Sequence, residues 1–277
     1  MPSNWSDWEW DETLFAGAAE HYERGRLPYA PGLADAVGKA LGLDGRGRLL
    51  DVGCGPGTVG LRLAHLFDEV VGLDPDPGMI REAKRLASQR QVENARWVER
   101  RAEELPAGLG LFRAVTFAAS FHWMNRPLVA TAVREMLDPK GVVVQIDGRH
   151  QADLARGNDH PLPPRNRIDA LRRSYLGDGR RAGRTTRNSS PDDEVSVFRA
   201  AGLVGPEIVL VPDGRSLTRT IDDVVAETLS MSSTAPHLFG SRLAEFEADL
   251  RSLLADASPD GLFSVRLPDN QLSVWRL

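Results

Sequence analysis

The chain holds one cysteine, Cys54, and three lysines, Lys39, Lys84 and Lys140, in 277 residues. A single cysteine excludes an intramolecular disulfide and suits a reducing cytoplasm, where the chain is expected to work. The lysine shortage makes arginine nearly the whole cation complement, so an arginine-rich stretch carries less weight than usual. No apolar run approaches the ~20 residues of a membrane span. The opening MPSNWSDWEW is acidic and aromatic where a secretory leader is basic and then apolar. A net charge of -5 at pH 7 argues against the basic face of a general nucleic-acid binder. No histidine, cysteine or carboxylate cluster has metal spacing, and no serine sits in a nucleophile elbow. No membrane or nucleic-acid partner is expected.

From residue 48 the chain alternates short apolar runs with amphipathic segments. RLLDV, EVVGLD, ARWVE, FRAVTFAAS and VVVQID read as strands. Between them Val59, Leu63, Leu66 and Phe67, then Ile80, Ala83, Leu86 and Ala87, then Val129, Val133 and Met136, recur at helical spacing. Asp76 with Pro77, and Asn125 with Pro127, are helix-opening pairs. This alternation implies parallel strands joined by right-handed crossovers. Upstream, Phe15 to Tyr22 and Leu33 to Leu41 have helical patterns, and Trp5, Trp8 and Trp10 form an aromatic arm that must cover something. Downstream of an irregular, arginine-rich stretch, PDDEVSVFRAAGL reads as a helix, EIVLVP as a sixth strand, and 221–230 and 241–255 as helices. FSVRLPDNQLSVWRL reads as a hairpin closing the sheet edge. The expected fold is therefore α/β, a doubly wound, seven-stranded, mostly parallel sheet with an antiparallel C-terminal edge hairpin. It is read as one domain: a helical cap (1–47), a core (48–147), a substrate-side insertion or lid (148–200), and C-terminal helices and edge strands (201–277).

The strongest motif is LLDVGCGPGTVG at 49–60. A strand runs into Gly53, Gly55 and Gly57, which bring bare backbone to a ligand at the carboxyl end of the sheet. Residues 55–60 formally match the dinucleotide fingerprint G-x-G-x-x-G. Asp51, however, stands where a pyrophosphate would be unwelcome and where a positively charged amino group would be held. Asp74, about 20 residues on, ends the second strand at the position from which a carboxylate takes ribose hydroxyls. Arg101 to Pro106 offers an edge for an adenine ring.

DVGCGPG, GLDPDPGMI, AEELP and SFHWM followed by LDPKG together resemble class I S-adenosylmethionine-dependent methyltransferases, most nearly the small-molecule subgroup of trans-aconitate methyltransferase. The resemblance covers 13–147 well. It implies a Rossmann-like methyltransferase fold with S-adenosyl-L-methionine as cofactor. By it, Asp51 with Gly53, Gly55 and Gly57 holds the methionine end, Asp74 binds the ribose, Met79 packs on the adenine, Ala102 with Glu103 meets its polar edge, and Cys54, Pro75 and Ala118 complete the cofactor site. Tyr22 and Arg26, in YERGRLPY, wall the pocket, although a tyrosine on a helix also serves plain packing. The chain departs from its relatives in having Arg101, and Arg113 after Phe112, where they often carry aspartate.

His122, at the tip of the fourth strand, reads either as a general base or as half of a structural His-Trp pair with Trp123, which shapes the substrate pocket. His237 lies in a polar stretch that lines the substrate site or merely caps a loop. Ten arginines against four aspartates over 148–190 make that stretch basic in an acidic chain. Arg172 and Arg173, in the helical LRRSYL, are its expected contacts to an anionic acceptor. Two alternatives to methyl transfer stay open: a nicotinamide-dependent oxidoreductase, and a cofactor-binding protein of this fold without transfer activity.

Overall fold

Glycine and aspartate at the ends of apolar runs set most element boundaries. The structure, a computed structural model, describes residues 10–148, 159–182, 185–186 and 193–277. Trp5 and Trp8 of the aromatic arm, and Arg149, Arg156, Arg184 and Arg187 of the basic stretch, lie outside the described residues.

In chain order the elements are α1 (Ala19–Gly25), α2 (Leu33–Leu41), β1 (Arg48–Val52), α3 (Thr58–Leu63), β2 (Glu69–Asp74), α4 (Pro77–Gln89), β3 (Ala95–Glu99), β4 (Phe112–Ala118), α5 (Arg126–Glu135) and β5 (Leu137–Gly148). There follow α6 (Arg165–Leu176), β6 (Arg181–Ala182), β7 (Thr185–Thr186), α7 (Glu194–Ala200), β8 (Val204–Val211), β9 (Ser216–Thr220), α8 (Ile221–Leu229), α9 (Leu243–Ala257), β10 (Leu262–Arg266) and β11 (Asn270–Arg276). The expected caps form: Asp76 accepts the Met79 N–H with Pro77 in the first turn of α4, and Asn125 accepts the Leu128 N–H ahead of α5. The later helix starts at Glu194, capped by Asp193.

Among the described residues one sheet has seven strands in the order β3-β2-β1-β4-β5-β11-β8. All neighbours from β3 to β5 are parallel, while β11 is antiparallel to both β5 and β8. The order reverses between β1 and β4, which opens a crevice beyond their carboxyl ends. Strand residues alternate between two cores. Leu50, Val52, Val115 and Phe117 pack with α5 and α7. Leu49, Val70, Ala114 and Val144 pack with α2 and α3 on the other face.

The C-terminal tail differs from the expected hairpin. β11 inserts between β5 and β8, whereas β10 pairs with β9 in a separate two-stranded sheet. Burial explains the split, because Trp275 joins one core while Leu272 and Val274 join the other. A strand apolar on both faces belongs inside a sheet rather than at its edge. β10 instead turns Phe263 into a third core. β9, SLTRT, was not foreseen as a strand, since its Ser216, Thr218 and Thr220 are exposed and leave no apolar alternation.

That third core unites segments assigned to different regions. Ile168, Leu171 and Tyr175 of α6 pack with Val224, Val225 and Leu229 of α8 and with Phe246, Leu250 and Leu254 of α9. α6 is thus part of a helical cap with α8 and α9. α1 joins the cap closely: a Cβ on Gly25 would lie 2.4 Å from the carbonyl oxygen of Ala226. The buried Arg219 guanidinium locks this crossing by donating to the Arg24 and Gly25 carbonyls at 3.0 Å each, where a cation also suits the end of the helix dipole.

Candidate functional site

After Val52 the chain turns through Gly53 and Gly55, at φ of 67° and 53°, a region that glycine occupies without strain. Space dictates the first of these as well, because a Cβ on Gly53 would stand 2.7 Å from Ser120 Cβ and 2.9 Å from Met124 Cε. The Gly53 and Cys54 N–H groups both donate to the Leu73 carbonyl, at 2.8 and 3.1 Å, pinning the loop to β2. Gly57, at φ of 79°, has a steric reason as well. Its Cβ position lies 2.3 Å from Trp97 Cη2, so glycine there admits the indole. Gly57 borders neither cavity described below.

Asp51 is buried in β1. It accepts the Thr116 hydroxyl at 2.8 Å and the Gly60 N–H at 3.0 Å, tying β1 to β4 and α3. Burial pushes its carboxyl up to about 6 despite those two bonds. Asp74 at the tip of β2 accepts the Gly55 N–H at 2.8 Å and the Asp76 N–H at 2.9 Å. Burial raises it to about 6 as well, against the pull of those two donors. Both carboxylates are therefore desolvated by burial and only partly compensated by protein donors, and a bound donor or cation would be met with gain. Burial also pushes up the Cys54 thiol and the Glu103 carboxyl, whose Oε1 accepts the Asn125 N–H at 2.8 Å.

Two cavities meet over the crevice. The first, about 70 Å³, is a narrow slot bordered by Gly55, Asp74, Pro75, Met79, Ala102, Glu103 and Trp123. Trp10, Glu12 and Phe15 of the N-terminal segment cover it, with the Phe15 ring edge-on to Trp123 at 5.8 Å. The second, about 730 Å³, is bordered by Arg26, Asp51, Cys54, Arg165, Glu227 and Met231, a size typical of small-molecule sites. Tyr22, Gly53, Ala118 and Ala119 border both cavities, so the two adjoin there. Arg26 stands at the junction, its guanidinium 4.8 Å from the Tyr22 ring centroid and donating to the Ser230 carbonyl at 2.7 Å.

The expected substrate contacts fare differently. Trp123 lines the slot, while His122 borders neither cavity and sits with its ring 4.7 Å from that of Trp123. Arg172 is not available to a ligand. It is 4% exposed, bonded to Asp169 at 3.0 Å and to the Gly177 and Gly179 carbonyls at 3.2 and 3.1 Å. Arg173 is ion-paired with the same Asp169 at 3.1 Å. These arginines finish the C-terminal end of α6 instead of facing the cavity. His237 also borders neither cavity; its Nδ1 lies 3.2 Å from the Ala16 carbonyl, securing the N-terminal segment. The sequence reading missed Arg165, Glu227 and Arg266, which wall the second cavity. For Glu227 a signal existed: it is the acid inside the apolar run Val224, Val225, Ala226, Leu229, all buried. Among the described residues no group of three or more histidines, cysteines or carboxylates could hold a metal, and no helix is long and apolar enough to cross a membrane.

Residues 49–141 match the methyltransferase-domain family. An uncharacterised methyltransferase of Schizosaccharomyces pombe is 32% identical over 130 residues, 45% of this chain and 48% of that protein. An uncharacterised RNA methyltransferase of Listeria monocytogenes is 40% identical over 73 residues, 26% of this chain and 16% of that one. The crystal structure of the Bacillus subtilis YcgJ protein superposes with a TM-score of 0.51 at 19% identity, covering 88% of this chain and 97% of that one. That likeness establishes the shared fold. The chain spans about half the length of curated relatives such as the S. pombe protein, and these relatives do not carry the trans-aconitate name.

Proposed function

We propose that this chain, whose residues 49–141 form a class I S-adenosylmethionine-dependent methyltransferase domain, methylates a small molecule bound in the second cavity. The observation that carries the reading is that the two cavities adjoin, with Tyr22, Gly53, Ala118 and Ala119 lining both. A narrow slot with an acid at its rim thereby lies directly beside a larger chamber.

The residues present fit the cofactor. The slot combines a carboxylate for the ribose diol, Asp74, with the flat apolar surface of Pro75 and Met79 and with Glu103 for a polar ring edge. The bare backbone at Gly53 and Gly55, where a Cβ is excluded by conformation, suits close approach of the methionine portion, and Asp51 retains lone pairs for its ammonium. When bound, S-adenosylmethionine supplies a methyl group activated by a positively charged sulfur. The chain's own residues then have two tasks: aligning the acceptor and excluding water. Trp10, Phe15 and Trp123 close the slot, and Tyr22 with Arg26 forms the threshold to the acceptor chamber. Arg26 and Arg266 on that chamber support an acceptor with an anionic group, the role first expected of Arg172 and Arg173.

Calorimetry with S-adenosylhomocysteine and with NAD(H) tests the cofactor. Tight NAD(H) binding with no homocysteine-adduct binding would replace the reading with the oxidoreductase alternative. Methyl-labelled cofactor incubated with a cell extract tests the acceptor. Label is expected in the small-molecule fraction; label confined to RNA would overturn the small-molecule assignment, and no transfer at all would leave a cofactor-binding protein.

A further inference from the structure

Glu227 is a carboxylate that the fold has half satisfied. Its side chain is 10% exposed, and one oxygen accepts Arg165 Nη1 at 2.8 Å. The other oxygen is shielded and has no hydrogen-bond partner. A purely structural arginine-carboxylate pair gains most from two parallel bonds, one to each oxygen. Here the second oxygen is left without a donor, and an unsatisfied buried acceptor asks for a reason. The setting supplies one, because Glu227 and Arg165 both border the second cavity, on the cap side, in the chamber shared with Tyr22 and Gly53. Its position is also built. Gly25 allows α1 to touch α8 so closely that a Cβ would lie 2.7 Å from the Glu227 backbone nitrogen. The next residue, Arg26, enters the same cavity.

Resting on the acceptor chamber assigned above, we propose that Glu227 is an acceptor-binding residue, and that the acceptor presents it with a hydrogen-bond donor, a hydroxyl or an amine. Arg165 orients the carboxylate by occupying its first oxygen, and the second, covered in the free protein, turns onto the donor when the acceptor binds. With Arg26 and Arg266 on the same cavity, the chemistry recognised is a small anion that also carries –OH or –NH.

The test uses protein saturated with S-adenosylhomocysteine and two probes of similar size, para-hydroxyphenylacetate and para-fluorophenylacetate, of which only the first carries a donor. Ligand-detected NMR titration should show the hydroxylated probe bound roughly tenfold or more tightly, the range set by one satisfied buried group. In Glu227→Gln the single amide oxygen goes to Arg165 and an NH2 replaces the free oxygen, so the preference should vanish while S-adenosylhomocysteine binding holds. If that variant does not bind S-adenosylhomocysteine, Glu227→Asp, which withdraws the carboxylate by one methylene, must show the same loss. Equal affinity for both probes, binding of neither at millimolar concentration, or a preference that survives substitution overturns the assignment of Glu227. Wild-type protein that fails to bind S-adenosylhomocysteine would instead refute the proposed function on which it rests.

Discussion

Replacing Asp74 by asparagine separates its role toward a ligand from its role in the fold. The carboxylate now takes two N–H groups, from Gly55 at 2.8 Å and from Asp76 at 2.9 Å. Asparagine keeps the shape but has one acceptor oxygen, and its NH2 must face the other donor. The Asp76 bond spans two residues and is the easier to keep, so the Gly55 N–H is the one stranded, and the glycine loop loosens. One stranded buried donor costs about 1–3 kcal/mol. The ribose hydroxyls also lose their charged acceptor. Loss of that charged acceptor should weaken S-adenosylhomocysteine binding by roughly 10- to 100-fold. Stability should change less, because burial already pushes this carboxyl up to about 6 and removing its charge relieves that desolvation. Calorimetry against the homocysteine adduct and a thermal melt of the free protein read the two effects independently. Wild-type affinity in a folded variant would remove Asp74 from the ribose site, and a melting loss as large as the binding loss would make the residue structural.

The same carboxylates predict an unusual pH response. Asp51 and Asp74 sit near 6 in the folded chain against an ordinary 3.8, so the native state binds protons more readily between those values. Their contribution to stability therefore rises as pH falls from about 6 to about 4, while cofactor binding, which uses the charged forms, weakens. The rise in Tm produced by S-adenosylhomocysteine should accordingly shrink between neutral pH and pH about 5; a constant shift would refute the linkage. Gly25→Ala should lower stability by about 1–3 kcal/mol in chemical denaturation, since its Cβ would meet the Ala226 carbonyl at 2.4 Å; an unchanged midpoint would show that the α1–α8 crossing is loose. Arg172→Ala should cost about 2 kcal/mol by removing a buried guanidinium that donates to Asp169 and to the Gly177 and Gly179 carbonyls. Arg173→Ala, a surface pair, should cost less than about 1 kcal/mol. Neither should alter KM for an acceptor, and a raised KM without a stability change in either variant would return that arginine to the substrate site.

What was legible in the sequence was what local chemistry decides. The β1 to β5 alternation, the helix-opening Asp76 and Asn125, the glycine loop and Asp74 each depend on neighbours within a few residues. The glycine loop illustrates the limit of even that reading. Gly53 and Gly55 sit over the crevice as their spacing implied, whereas Gly57 answers to Trp97, forty residues away and on β3. Spacing alone cannot distinguish a glycine that faces a ligand from one that admits an indole. Arg113 makes the same point from the other side, since its use is structural and distant in sequence. Its guanidinium donates to the Leu41 carbonyl at 2.7 Å and to that of Lys140, joining the end of α2 to the turn within β5.

The acceptor side was less legible because long-range packing decides it. α6 carries Arg165, Arg167, Arg172 and Arg173, and as a string these cations are equivalent. Which of them meets a ligand depends on the face of α6 that α9 covers, seventy or more residues later. Ile168, Leu171 and Tyr175 turn toward α9, Arg172 is drawn in to finish the helix end, and only Arg165, at the first turn, reaches across to Glu227. The tail was misread for the same reason. PDN looks like a tight hairpin turn, yet Phe263 is claimed by the cap core, and Trp275 with Leu272 by the two faces of the main sheet. Those demands cannot be met by a pair of adjacent strands, so β10 and β11 part. Their parting leaves Arg266, Pro268 and Asn270, at the two strand ends and between them, bordering the second cavity. The feature that defeated the sequence reading is therefore part of what builds the site.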